Sequence, residues 1–408
     1  MKTSSACPVI HFDHHSAEFN ADPHGAWLAL QDTPVAWSEE YGGFWVVSDH
    51  QGNTDVLQNA DVFTSTRFRP KAGLSIPSHA DPNGEPVLPM EVDPPEHGPV
   101  RALLNSHLSP SAVRKMMPLI ESWTTKCIDQ VIESGEGDLL YDVAGPVPAF
   151  ITMNWLGFPE EHIREVAETV HHFVGYPPGS PEFEKARAEN DKIIPTLLET
   201  CAARRAEPRD DLISRLMTQT LNGEPVTDSV IARLSYILVL GGVDTTTSLT
   251  SSALVHLNQD RELRQRLIDN PELIESATEE FLRVYPPLAS IGRVARQDSE
   301  YRGCPISSGD QVLVSRHAAN FDEEVFDNPD EFRPDRFPNR HVSFGLGPHR
   351  CVGSHLARLM FQEIIRQVLT RIPDYELDES RVTPYPDRGV FAGWTALPAR
   401  FTPGSRLG

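Results

Sequence analysis

The chain is most constrained between Thr227 and Asn258, where a helix-start residue opens a long run that contains no proline. Thr227 is of the type that caps helices, and the residues after it continue without a break signal. About 31 residues rising ~1.5 Å each make a rod of roughly 46 Å, long enough to cross a whole globular molecule. Inside the rod sits Gly241-Gly242-Val243-Asp244-Thr245-Thr246-Thr247. Glycine and β-branched threonine each cost from some tenths to about 1 kcal/mol against alanine in a helix interior. A threonine hydroxyl there can bond the carbonyl four residues back, which for Thr245 belongs to Gly241. Composition leaves two readings level: a tight helix–helix contact, or a distortion that serves function.

A second stretch is Phe344-Gly345-Leu346-Gly347-Pro348-His349-Arg350-Cys351-Val352-Gly353. Its glycines permit positive φ and close backbone approach to a flat object. A helix-compatible run begins just after Gly353, and a cysteine at a helix N-terminus has its thiolate favoured by the unpaired N–H groups there. Those N–H groups are also placed to donate to the sulfur. A lone cysteine is most often a small buried hydrophobe. The ten-residue context carries the reading.

Elsewhere the patterns are mainly helical, at 96–107, 110–134, 146–157, 160–174, 181–206, 209–220, 260–269, 271–285 and 353–371. A shorter helix is expected near 22–33 and another over 53–59. Strands are expected at 43–48, 291–302, 311–315 and near the C-terminus, which gives a mainly α class with small β-sheets. Residues 66–95 are rich in proline and glycine, with Leu74, Ile76, Val87, Leu88 and Met90 apolar enough to wall a pocket. Long irregular segments of this kind are usually functional or disordered. The chain must also turn at 175–181, where a mobile lid is expected.

Glu280 and Arg283 lie three apart on one helical face, a spacing that is usually surface decoration worth under about 1 kcal/mol. His97 and Arg101 share a face in the same way, as a solvated helix start would. The adjacent pairs His14-His15 and His171-His172 lack the spacing of helical metal ligands and are given no role. Cys7, Cys127, Cys201 and Cys304 are read as buried or incidental thiols, and His11, His14 and His15 as part of a solvated N-terminal arm.

Taken together, these motifs resemble the cytochrome P450 family, in order and over residues 93 to 353. The cysteine loop matches at Phe344, Gly345, Gly347, His349, Cys351 and Gly353. The resemblance implies a single haem domain over residues 1–408, a triangular α-rich body with a smaller β-rich region. It implies haem b (iron protoporphyrin IX) with Cys351 as the axial thiolate, which favours O–O cleavage, and Phe344 shielding the sulfur. It places Gly241 over the haem with room for O2, and makes Asp244 and Thr245 an acid–alcohol pair that delivers protons. His97, Arg101, Arg293 and His349 become propionate partners. Glu280, Arg283 and Arg336 become a buried network that pins a helix to the loop beneath the haem. The pocket walls carried over by position are residues 74–90, the 171–180 turn, Ile237, Leu240, Ala289, Ile291, Val390 and Phe391.

The implied activity is that of a monooxygenase inserting one oxygen atom into an apolar small-molecule substrate, by hydroxylation or oxidative demethylation. Electrons would come from a ferredoxin and a ferredoxin reductase, as in the soluble bacterial branch. A patch of Arg101, Arg114, Lys115, Arg350 and Arg358 would receive the ferredoxin. The net charge of −22 argues against nucleic acid and anionic membranes as partners. Five scattered cysteines suggest no disulfide framework and a reducing cytoplasmic setting. Two alternatives stay open: a peroxide-driven peroxygenase, and a non-catalytic haem-binding sensor. The apolar walls do not choose among terpenoids, steroids, aromatics and fatty compounds.

Overall fold

In the computed structural model, which describes residues 7–66, 74–78 and 84–408, the rod is one helix, Asp228–Gln259. The Thr227 hydroxyl caps it by accepting from the Val230 N–H. Its length and apolar content would suit a membrane span, but 56% of its most apolar window lies inside the protein. The helices Pro146–Leu156, Ile163–Gly175, Ile193–Ala206 and Ser354–Arg371 pack around it. The two glycines divide the two readings between them. A Cβ on Gly242 would sit 2.7 Å from Thr152 Cγ2, whereas one on Gly241 would meet nothing within 4 Å. Gly242 is a helix–helix contact; Gly241 opens space.

The principal sheet runs in the order Val9–Ile10, Val35–Ser38, Phe44–Val47, Gln311–Ser315, Ser290–Ala295, Phe63–Thr64. Gln311–Ser315 pairs antiparallel with Ser290–Ala295 and sets Val312 opposite Arg293. This strand pair brings Arg293 and the residues after Ser315 toward the cysteine loop.

Several expected elements are shorter or divided, each for a local reason. The 110–134 helix splits into Pro110–Arg114 and Met117–Val131, with Pro118 in the first turn of the second, where its missing N–H is tolerated. The 181–206 helix splits into Pro181–Asn190 and Ile193–Ala206 ahead of Pro195, which cannot continue the earlier helix. The 209–220 helix shrinks to Leu212–Leu216. A hairpin follows, turning at Asn222 and Gly223 with φ of 55° and 88°, as Asn-Gly pairs favour. The 291–302 strand divides into Ser290–Ala295 and Ser299–Tyr301.

The N-terminal arm is packed rather than solvated, His11 alone of its three histidines being exposed. His14 is fully buried. His15 bonds Asp387 at 2.7 Å through Nδ1 and the Ile76 carbonyl at 2.9 Å through Nε2. Phe12, Phe19 and Trp27 close a small apolar cluster around Ile76. Cys7 and Cys304 are not lone thiols but a disulfide with Cα atoms 5.5 Å apart, an ordinary span for such a bond. Cys127 and Cys201 are buried free thiols, and burial pushes each up to about 12. Of the irregular 66–95 segment, 67–73 and 79–83, including Pro70, Gly73 and Pro82, lie outside the described residues, as do residues 1–6.

Candidate active site

The cysteine loop is a closed ring of backbone. Gly345 and Gly347 take φ of 68° and 67°, and the Cys351 N–H returns to the Phe344 carbonyl at 2.8 Å. A Cβ on Gly347 would meet the Leu57 carbonyl at 2.5 Å, so this residue is glycine for both conformation and space. Gly353 differs: its φ is −84°, and a Cβ there would lie 3.9 Å from the sulfur, an ordinary contact. Its N–H acts on the Cys351 sulfur and favours the thiolate. Cys351 is the exposed one of the three free cysteines. Burial raises the thiol pKa, opposed by the Gly353 N–H and the charges of Arg316, Arg101 and Arg350.

Phe344 carries the Arg358 guanidinium 4.4 Å over its ring. Arg358 is in turn held by both oxygens of Glu279 at 2.6 Å. Arg358 is therefore neutralised, and the expected basic patch contracts to Arg101, Arg114, Lys115 and Arg350. Arg114, Lys115 and Arg350 are exposed, and the Pro110–Arg114 helix packs on the helix that follows the loop.

On the long helix, the Thr245 hydroxyl donates to the Gly241 carbonyl at 2.7 Å. Thr245 is partly exposed while Thr246 and Thr247 are buried. Because its proton is spent on Gly241, this hydroxyl presents a lone pair to the open side and accepts there rather than donating. Asp244 is 2% exposed and caged. His171 Nδ1 lies 2.7 Å from its Oδ1, the Tyr385 hydroxyl donates to Oδ2 at 2.7 Å, and Ser248 donates at 3.3 Å. His171 thus has a partner that its spacing beside His172 did not suggest. Tyr385 and Ser248 were also missed; Tyr385 is 141 residues from Asp244, and no local pattern links them. Burial and the Asp244 charge push the Tyr385 hydroxyl well above the usual phenol range.

His97 is buried, with Nε2 lacking a protein partner, and its ring lies 4.5 Å from that of His349. Burial, then the charges of His349 and Arg101, hold it at about 4, so it is neutral at pH 7. His349 Nε2 bonds Asp93 at 3.1 Å, and Asp93 also receives Arg296 at 2.8 Å, two partners the sequence did not indicate. Arg101 donates to the Arg350 carbonyl. Arg293 is 2% exposed; its described bond is to the Gly292 carbonyl at 2.7 Å, and no carboxylate is paired with it among the described residues. Burial, with the Arg316 charge behind it, lowers Arg293 to about 10.

Glu280 is the centre of a closed network. Arg283 reaches both carboxylate oxygens at 2.8 and 2.9 Å, and Arg336 reaches them at 3.0 and 3.1 Å. Asn320 and Ser343 join it to the loop: Asn320 bonds the Arg283 carbonyl, the Ser343 hydroxyl and the Val342 N–H.

Of the expected pocket walls, Ile237 and Leu240 are partly exposed on the helix face that carries Gly241 and Thr245. Ala289 is tied to Val390 by a 2.8 Å backbone bond, and Phe391 bridges Leu288. Leu74 and Ile291 pack with the sheet cluster, Ile76 with the N-terminal cluster and Leu88 with the main core. Val87 donates its N–H to Glu91.

A cysteine whose sulfur receives an N–H bond, an orphan buried imidazole and an unpaired buried guanidinium make a fitting cradle for a flat, thiolate-ligated, anionic cofactor. Fold and site together define a haem–thiolate enzyme. The Cytochrome P450 family model matches residues 153–385. The chain is 32% identical over 335 residues to a steroid C26-monooxygenase of Mycobacterium tuberculosis, covering 79% of this chain and 89% of that one. It is 32% identical to cytochrome P450-terp of a Pseudomonas species, covering 87% and 88%. Among solved structures it resembles a mutant of P450 EryK in complex with erythromycin B, with a TM-score of 0.85 at 27% identity over 97% of this chain and 100% of that one. It also resembles CYP109E1 of Bacillus megaterium in complex with testosterone, with a TM-score of 0.81 at 27% identity over 93% and 99%. The chain belongs to the cytochrome P450 family. It is a monooxygenase whose cofactor is haem b, bound through a cysteine thiolate.

Proposed function

We propose that the chain, one haem domain, oxidises an apolar polycyclic compound of the steroid or terpenoid kind, with Cys351 as the thiolate ligand. The observation that carries this reading is the Gly241–Thr245 unit: open space beside a fixed hydroxyl, on a helix face lined by Ile237 and Leu240. The relatives' printed activities and ligands, steroid C26-monooxygenase and testosterone, favour this class. When bound, haem b supplies oxygen activation; the chain supplies position and protons. His97, Arg101, Arg293 and His349 would hold its carboxylates. The Thr245 oxygen accepts a hydrogen bond on the open side and so holds a water or an O–H in place. Asp244 is the relay for protons in this reading, its carboxyl group held in place by His171 Nδ1 and the Tyr385 O–H.

The test begins with titration of steroids, terpenoids and fatty acids, following the Soret shift of the ferric protein. A shift with fatty acids alone, or a silent response to all three classes, would reject the polycyclic-substrate reading. With a compound that shifts the band, Thr245→Ala is expected to keep substrate affinity but to release hydrogen peroxide, lowering product per NAD(P)H several-fold. Asp244→Asn is expected instead to slow turnover, on the order of a hundredfold, with coupling less affected. Unchanged coupling in Thr245→Ala would remove the hydroxyl from the mechanism.

Electrons are proposed to arrive from a ferredoxin served by its reductase. Arg114, Lys115 and Arg350, all exposed on a chain of net charge −22, are the cations proposed to orient an acidic partner. Raising ionic strength through the physiological range is expected to slow electron transfer from an acidic ferredoxin steeply. A flat salt dependence would count against this docking face.

A further inference from the structure

Arg316 is a buried cation that neither the sequence motifs nor the proposed mechanism uses. It follows the strand Gln311–Ser315 directly, and its N–H bonds the Ala289 carbonyl at 2.8 Å. The Ser315 hydroxyl caps the short turn that begins there, accepting from Ala318 at 3.0 Å. Its backbone is therefore fixed. The side chain is 7% exposed, yet it makes a single long bond, from Nη1 to the Ser343 carbonyl at 3.4 Å. Its Nε has no partner, and it forms no ion pair among the described residues. The guanidinium lies against the cysteine loop, since a Cβ on Gly345 would sit 3.0 Å from Nη2.

An arginine so placed is costly. A buried guanidinium has five N–H donors to satisfy and a charge to compensate, and burial lowers Arg316 to about 10. Arg293 stands in the same condition close enough to feel its charge. Asp93 is the carboxylate whose charge reaches Arg293, but its oxygens are taken by His349 and Arg296. Two like charges buried near each other, with no carboxylate bonded to either among the described residues, call for an anion supplied from outside the chain. Within haem b ligated by a thiolate, the ferric charge is balanced by porphyrin and sulfur. The two propionates are then its uncompensated anions. Cys351 is the chain's own anion nearby, but it is already served by the Gly353 N–H and by the iron it would bind.

We propose that Arg316 is a haem-carboxylate ligand, pairing with a propionate together with Arg293. This adds a residue to the anchors expected from the motifs, and it rests on haem b as the cofactor, not on any assignment of substrate or proton path. Arginine suits the role because its planar fork can bond a carboxylate through two parallel N–H groups.

The experiment compares haem b with its propionate dimethyl ester, each reconstituted into wild type, Arg316→Gln and Arg316→Lys. Haem release is followed by transfer to apomyoglobin. With haem b, Arg316→Gln is expected to release about ten- to a hundredfold faster than wild type, the equivalent of one hydrogen bond to a charged group. With the dimethyl ester the two proteins should release at the same rate, because the anion that Arg316 contacts is gone. Arg316→Lys, which keeps the charge but not the fork, should fall between. Should Arg316→Gln fail to yield holoprotein, the same two-haem comparison is read on Arg316→Lys. Equal release of haem b from variant and wild type would overturn the assignment. So would an equal acceleration for both haems, which would make Arg316 a support of the loop or the thiolate.

Discussion

Cys351→Ala protein, reduced under carbon monoxide, is expected to lose entirely the red-shifted Soret band that a thiolate ligand produces. No other cysteine can stand in. Cys7 and Cys304 are bonded to each other, and Cys127 and Cys201 are buried thiols that burial keeps protonated. Cys351 is instead carried by a backbone ring closed between Phe344 and Cys351, with the Gly353 N–H on its sulfur. Arg316, Arg101 and Arg350 add favourable charge for the thiolate. Burial alone would raise the thiol pKa, so these donors and the metal itself must tip it to the anion. The ring is closed by backbone and should survive the change to alanine, which separates loss of the ligand from loss of the fold. Far-UV circular dichroism on the same sample checks that separation. A folded Cys351→Ala protein that retained the band would remove Cys351 as the ligand.

What the sequence made legible was local. The Thr227 cap and the length of the rod could be read because capping and helix propagation depend on neighbours within a turn. Gly345 and Gly347 could be read because positive φ is a property of one residue. The splits at Pro118 and Pro195 were also written locally, but helix-compatible residues on both sides masked them. Long-range partners had no such signature. The His171–Asp244–Tyr385 cage joins residues 73 and 141 positions apart, and the Cys7–Cys304 bond spans 297. Arg316 carries no local signal at all; its burial against Gly345 depends on how the sheet meets the loop. The Glu280 network lies between these cases. Its i, i+3 pair was visible, but the same spacing suits an exposed helix, and family resemblance rather than spacing singled it out.

That network is where the second large effect is expected. Glu280 and Arg283 are fully buried and Arg336 is 6% exposed. The carboxylate of Glu280 also receives the Arg333 N–H and the Asn339 amide, each at 3.0 Å. The remaining guanidinium donors end on the carbonyls of Asn320, Asp327, Asn328 and Glu331. Such a cluster is not automatically stabilising against an apolar replacement, but removing one member leaves uncompensated buried charge. Glu280→Ala leaves two guanidiniums without their anion, at a cost of about 3–5 kcal/mol. Total stability is on the order of 5–15 kcal/mol, so much of the margin would go. The damage should reach the cysteine loop, because Asn320 bonds both the Arg283 carbonyl and the Val342 N–H, and the Ser343 hydroxyl donates to the Leu282 carbonyl. Haem retention should therefore fall along with the guanidinium unfolding midpoint. The pH dependence has a definite sign. Burial pushes the Glu280 carboxyl up, but its bonds to Arg283, Arg333 and Arg336 outweigh this and hold it below the usual range. Its stabilisation is then fully present above the unfolded value, about 4.3, and is lost as pH falls through the lower folded value. Wild type should lose stability through that acid window more steeply than Glu280→Gln, which carries no titrating group at this site. A Glu280→Ala protein within about 1 kcal/mol of wild type, the scale of an exposed ion pair, would show the cluster to be replaceable packing rather than the brace beneath the loop.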